Sequence, residues 1–111
     1  MAILQLRATA WNNGAYRGSG AGYGLKISAA DRDAHIKREW RSVDLYLPAP
    51  FGLVTVNIDK PSFWNAKCQE LIHQRIGAWL ISEGKAHWTA GKPPRLKLLA
   101  RGERAFDVRL A

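Results

Sequence analysis

Residues 95–110 read Arg95-Leu-Lys-Leu-Leu-Ala-Arg-Gly-Glu-Arg-Ala-Phe-Asp-Val-Arg-Leu110, two short alternating runs around Gly102-Glu103. In the first run Leu96, Leu98 and Ala100 face one way, and Arg95, Lys97, Leu99 and Arg101 the other. In the second, Phe106, Val108 and Leu110 alternate with Asp107 and Arg109. Successive side chains leave a strand on opposite faces, so an alternation at period two marks a half-buried strand. The stretch predicts a β-hairpin that turns at Gly102-Glu103, buries one face and sets cations on the other. A sheet with one apolar face must be covered by further elements.

The preceding residues supply them. Lys85 to Pro94 form a basic loop ahead of the hairpin. Before it, Leu71, Ile72, Ile76, Trp79 and Leu80 make one apolar stripe at helical spacing, while Gln69, Glu70, His73 and Gln74 point elsewhere. Gly84 suits the C′ position of that helix, and Ser62 or Asn65 its start. Further back, Val43, Leu45 and Leu47 alternate, Pro48-Ala-Pro50 halts the ladder, and Val54, Val56 and Ile58 alternate again. Ser28 fits as the N-cap of a helix over about 29–40, with Asp31 as its acidic capping partner. Asp31 and Asp33 come early in that helix and Lys37, Arg38 and Arg41 late, an order that suits the helix dipole. Residues 3–9 and the set Tyr23, Leu25 and Ile27 read as strands, joined by a loop or wide hairpin carrying Asn12, Asn13 and five glycines. The expected class is α+β in the order β-β-α-β-β-α-β-β, a curled, mostly antiparallel sheet or open barrel with two helices.

Bulk properties bound the function. The 111 residues suit one domain over 1–111, and an apolar fraction of 47% supplies a core without staples. Cys68 is the single cysteine, so no intrachain disulfide forms, and no leader or membrane-length apolar run is visible. A cytoplasmic protein with no membrane partner is expected. The net charge is +8 and uneven: residues 1–59 carry +2 and residues 60–111 carry +6. Such a field draws in polyanions.

Motifs for chemistry are sparse. The run Gly18-Ser-Gly20-Ala-Gly22-Tyr-Gly24 has Tyr23 where a dinucleotide fingerprint needs glycine, and it precedes a strand rather than a helix. Asp59 with Glu83-Gly-Lys85 imitates a nuclease carboxylate set but straddles a helix end. His35, His73 and His87 are scattered and not spaced with Cys68 for zinc. No catalytic residue, metal or cofactor is expected. Trp40, Trp64 and Trp79 read as packing residues, and Trp11 and Trp88 lie beside basic loops where an aromatic can stack on a base.

The stretch Leu6-Arg-Ala-Thr-Ala-Trp-Asn12-Asn13-Gly14, continued by Gly20-Ala-Gly22-Tyr-Gly24-Leu-Lys-Ile27, resembles the opening of a DNA-binding pseudobarrel. That domain is the effector module of some restriction endonucleases and is shared by plant transcription factors. Its glycine-rich loop follows an Asn-Asp-x-Gly pattern, and Asn13 stands here where Asp is usual. The resemblance implies a curled sheet with two capping helices and contacts to duplex DNA around residues 12–17 and the strand at Lys26. The chain as a whole also resembles small uncharacterised bacterial proteins with Tyr-Gly-x-Lys-Ile near the start and Lys-Pro-Pro later, which implies no activity.

Three functions follow as expectations. The first is a non-catalytic domain for nucleic acid, duplex DNA foremost, with Lys37, Arg38, Arg41, Arg95, Lys97 and Arg101 on phosphates and Asn12, Asn13 and Arg17 toward bases. The second is an inhibitor or adaptor module that recognises an acidic protein surface. The third is a small metal-independent ribonuclease using His35, His73 or His87. All three depend on where the fold brings the charged side chains together.

Overall fold

The computed structural model describes residues 4–14 and 18–111. The order is β1 (Gln5–Asn12), β2 (Tyr23–Ile27), α1 (Ala29–His35), a 3-10 turn (Arg38–Trp40), β3 (Ser42–Leu47), β4 (Gly52–Asn57), α2 (Pro61–Trp64), β5 (Glu70–Ile72), α3 (Gln74–Ser82), β6 (Arg95–Ala100) and β7 (Ala105–Leu110). The expected α+β class holds, and the strands form one sheet in the order β4-β3-β7-β6-β1-β2-β5. Every neighbouring pair is antiparallel except β3 with β7, which run parallel. The sheet curls until its outer strands β4 and β5 approach each other. At that seam the Arg75 guanidinium donates from Nη1 to the carbonyls of Phe51 and Leu53, both at 3.1 Å. The result is a nearly closed barrel.

Alternation builds the interior. Leu6, Ala8 and Ala10 of β1, Leu96 and Leu98 of β6, and Phe106 and Val108 of β7 point inward and are buried. They join Tyr23, Leu25, Val43, Leu45, Val54 and Val56 in one apolar cluster. Ile76, Trp79 and Leu80 of α3 close one side of it. The hairpin turns at Gly102 as read from sequence, with Leu96 opposite Leu110 and Ala100 opposite Phe106.

Two helices differ from expectation. The first ends at His35, because Ile36 leaves the helix in an extended conformation to reach the core. Lys37, Arg38 and Arg41 therefore sit on an extended residue and a 3-10 turn, not on a helix end. The second starts later than its apolar stripe implies: Leu71 and Ile72 form β5, and α3 begins only at Gln74. A helical stripe over 71–80 is geometrically consistent, yet Glu70–Ile72 pairs with β2 as the last strand of the sheet, and Gly24 admits the close approach. A Cβ there would stand 2.5 Å from the Leu71 carbonyl oxygen, so only glycine permits the pairing. His73 consequently becomes the N-cap of α3, its Nδ1 accepting from the Arg75 N–H at 3.0 Å.

The described part of the glycine run is packed against the body. Gly20 and Gly77 meet backbone to backbone, and a Cβ on either would collide with the other. The Gln74 side chain amide donates to the Ser19 carbonyl at 3.1 Å and fastens the same contact. These glycines dock a connection onto α3.

Candidate nucleic-acid interface

Inward alternation fixes what faces outward. Along β1 the outward residues are Gln5, Arg7, Thr9 and Trp11; along β6 they are Arg95, Lys97 and Leu99. The register then lines up side chains that are remote in sequence. Arg7 stands opposite Lys97, and Lys97 stands opposite Arg109, so three strands carry a row of three cations. One step along, Thr9 stands opposite both Arg95 on β6 and Lys26 on β2. Adjacent strands lie about 4.8 Å apart and alternate residues about 6.6 Å apart along a strand, so the five cations share one patch.

This patch is concave. A groove of about 730 Å³ is lined by Arg7, Thr9, Lys26, Arg95 and Lys97, with Ser28 and Gln69 at its far side. Among the described residues, the side-chain ion pairs within 4.0 Å are Arg32 with Asp33 and Arg101 with Asp107. None of the five groove and row cations belongs to either. Lys26 has one acidic neighbour, Glu70, across the β2–β5 pair. Burial pushes the Glu70 carboxyl above its ordinary range, and the nearby charges of Lys26 and Lys60 oppose that shift only in part.

The residues expected from sequence divide into three sets. Arg95 and Lys97 lie in the groove. Arg101 lies on the same hairpin but is occupied: its guanidinium pairs with Asp107 at 3.1 Å and stacks 4.0 Å over the Tyr46 ring. Lys37, Arg38 and Arg41 lie elsewhere. Asp44 of β3 is level with Ala105 of β7, so Arg41 and Arg109 are seven residues apart in register, or about 23 Å along the strands. Arg38 instead stacks on the Trp64 ring at 5.5 Å, and the Arg41 carbonyl accepts from the Ile58 N–H.

The residues expected at bases are engaged in local structure. The Asn12 side chain accepts from the Gly14 N–H at 2.8 Å, and the Asn13 N–H donates to the Gly22 carbonyl. Arg17 lies outside the described residues. Trp88 packs edge-on against Tyr23, with ring centroids 6.2 Å apart, and Trp11 is half-buried opposite Gly24. The three histidines stand on separate elements, and among the described residues no three His, Cys, Asp or Glu side chains gather in one place.

Arg7 was missed because its importance arises only from pairing. Its alternation with Leu6 and Ala8 showed that it faces outward, but nothing local places β1 between β2 and β6. Lys26 entered the sequence reading only through the pseudobarrel resemblance. No helix among the described residues is long and apolar enough to cross a membrane. Comparison of the chain with protein-family models, curated proteins and solved structures finds no match.

Proposed function

We propose that the protein binds the phosphate backbone of duplex DNA through the groove on the outer face of β1, β2 and β6, without catalysing a reaction. The supporting observation is the cross-strand row Arg7–Lys97–Arg109 with Lys26 and Arg95 beside it, all outside the ion pairs of the described residues. Like charges placed directly opposite on neighbouring strands repel one another. A row of three therefore has an unfavourable self-energy that a bound anion relieves. Among the described residues the groove lining is cationic and aliphatic and includes no aromatic side chain on which unpaired bases could stack, which favours a duplex over a single strand. Cations 6–7 Å apart along β6 match the spacing of phosphates along one strand of a duplex. The resemblance of residues 6–27 to the DNA-binding pseudobarrel supports the same ligand, with Lys26 as the point where the two lines of argument meet.

The test is fluorescence anisotropy with a random-sequence duplex over a range of salt. Counterion release gives about 0.9 log units of affinity lost per log unit of salt for each phosphate neutralised, so four contacts give a slope near −3.6. Arg7→Ala with Lys97→Ala should weaken binding at least tenfold and flatten the slope by about 1.8. Binding indifferent to salt, or unaffected by the double substitution, removes the reading. Polyglutamate that competes charge for charge with duplex would move it to an acidic protein surface.

A further inference from the structure

A second concavity of about 500 Å³ adjoins the groove and is lined by Thr9, Gly91, Lys92, Pro93 and Arg95. Thr9 and Arg95 belong to both hollows, so the two are successive stations on one surface. Lys92 is exposed, and its position is fixed by its neighbours. Its N–H donates to the Thr89 carbonyl at 2.9 Å, closing a turn through Gly91 at φ +79. Pro93 and Pro94 restrict the chain that follows, and the Pro94 carbonyl accepts from Ala10 of β1 at 2.9 Å. Lys92 is thus tethered to β1 inside the sheet, three residues from Arg95.

We infer that the groove is one part of a linear track running from Arg7 and Lys97 past Thr9 and Arg95 to Lys92, and that its ligand is a continuous phosphodiester chain and not a compact anion. This rests on the proposed binding of duplex DNA and specifies how the ligand lies. Lys97 to Arg95 covers about 6.6 Å, and the extended reach from Arg95 to Lys92 adds up to about 10 Å. A track of about 17 Å accommodates roughly three successive phosphates at 6–7 Å spacing. A mononucleotide or inorganic phosphate engages one station at a time and forgoes the others.

The experiment compares wild type, Lys92→Ala and Arg95→Ala on a dinucleotide with a single phosphodiester and on a long duplex of about 12 base pairs, with inorganic phosphate as competitor, reading affinity and salt slope. Circular dichroism confirms the fold of each variant. The track predicts that Lys92→Ala weakens the long duplex about three- to tenfold and reduces its slope by about 0.9, with little effect on the dinucleotide. Phosphate at equal total charge should not displace the long duplex. If Arg95→Ala weakens the long duplex while Lys92→Ala changes neither its affinity nor its slope, the groove reading stands and the track is wrong. If wild type binds no duplex at all, both fail together.

Discussion

Trp64 and Thr9 each sit among cations, and the two neighbourhoods use them in opposite ways. Around Trp64, Arg32 lies 5.4 Å and Arg38 5.5 Å from the ring centroid. Arg32 is only 5% exposed and donates from Nη1 to the carbonyls of Phe63 at 2.8 Å and Asn65 at 2.6 Å, while its Nε pairs with Asp33. Its charge ties the segment after α2 to α1. Around Thr9, Arg7, Lys26, Arg95 and Lys97 face an open groove outside the ion pairs described above. A count of basic residues treats the two places alike. The inventory of what each guanidinium or ammonium already touches separates internal ties from cations available to a ligand, and Arg75 at the barrel seam belongs with the ties.

That division is most severely tested at Arg32. Arg32→Ala strands two carbonyls and removes a buried charge-assisted network, so a loss of about 3 kcal/mol is expected in denaturant unfolding. Arg95→Ala should stay within about 0.5 kcal/mol of wild type, as an exposed surface change does. Duplex affinity should respond in the reverse order. Comparable stability losses at the two positions would dissolve the distinction.

Next in size is the cap of α3, which lies on the internally tied side. The neutral His73 Nδ1 accepts from the Arg75 N–H, and burial first, then the Arg75 charge, holds its pKa below the ordinary 6.5. The folded protein therefore binds this proton less readily than the unfolded chain. The cap contributes fully above about pH 6.5, and its contribution is lost as pH falls through the lowered value. About 1 kcal/mol is at stake, the usual worth of an N-cap. His73→Asn keeps an acceptor that does not titrate and should flatten this part of the pH profile. A profile identical to wild type would show that the cap carries no such linkage.

A smaller effect of opposite sign is expected in the groove. Lys97 stands between Arg7 and Arg109, so Lys97→Thr should stabilise the protein by about 0.5 kcal/mol at low salt while weakening duplex binding. The gain should fade near 1 M salt, where screening shortens to about 3 Å. A loss of stability, together with unchanged affinity, would make the row an ordinary solvated face.

Period-two alternation made most of the barrel wall legible, because it depends only on local geometry and the hairpin's apolar set had nowhere else to go. It also oriented Arg95 and Lys97 correctly. The seventh strand was hidden because Leu71 and Ile72 suit a helical stripe as well as a strand, and the choice was settled by Gly24, some fifty positions away. The groove was hidden for the same reason on a larger scale. Neither Arg7 nor Lys26 is unusual locally, and their meeting with Lys97 and Arg95 is a product of strand order. Lys37, Arg38 and Arg41 formed a conspicuous run, but adjacency in sequence says nothing of what they touch, and Ile36 turning into the core carries them away from the hairpin.

The finest discrimination between the two neighbourhoods comes from Glu70, the acid that stands across from Lys26 at the groove's margin. With its pKa raised by burial, the folded state holds the Glu70 proton more firmly than the unfolded chain does. Stability from this group therefore declines as pH rises above about 4.5, and the carboxylate, once ionised, opposes an incoming phosphate. Glu70→Gln keeps the shape and removes the charge. Duplex affinity should rise about twofold where the wild-type carboxyl is ionised, and the difference from wild type should shrink as acidification protonates Glu70. If Lys26 were a structural tie like Arg32, removing its acidic neighbour would disorder it and affinity would drop. A rise means that Lys26 is held back from a ligand by Glu70, which is the behaviour of a cation with its partner still to come.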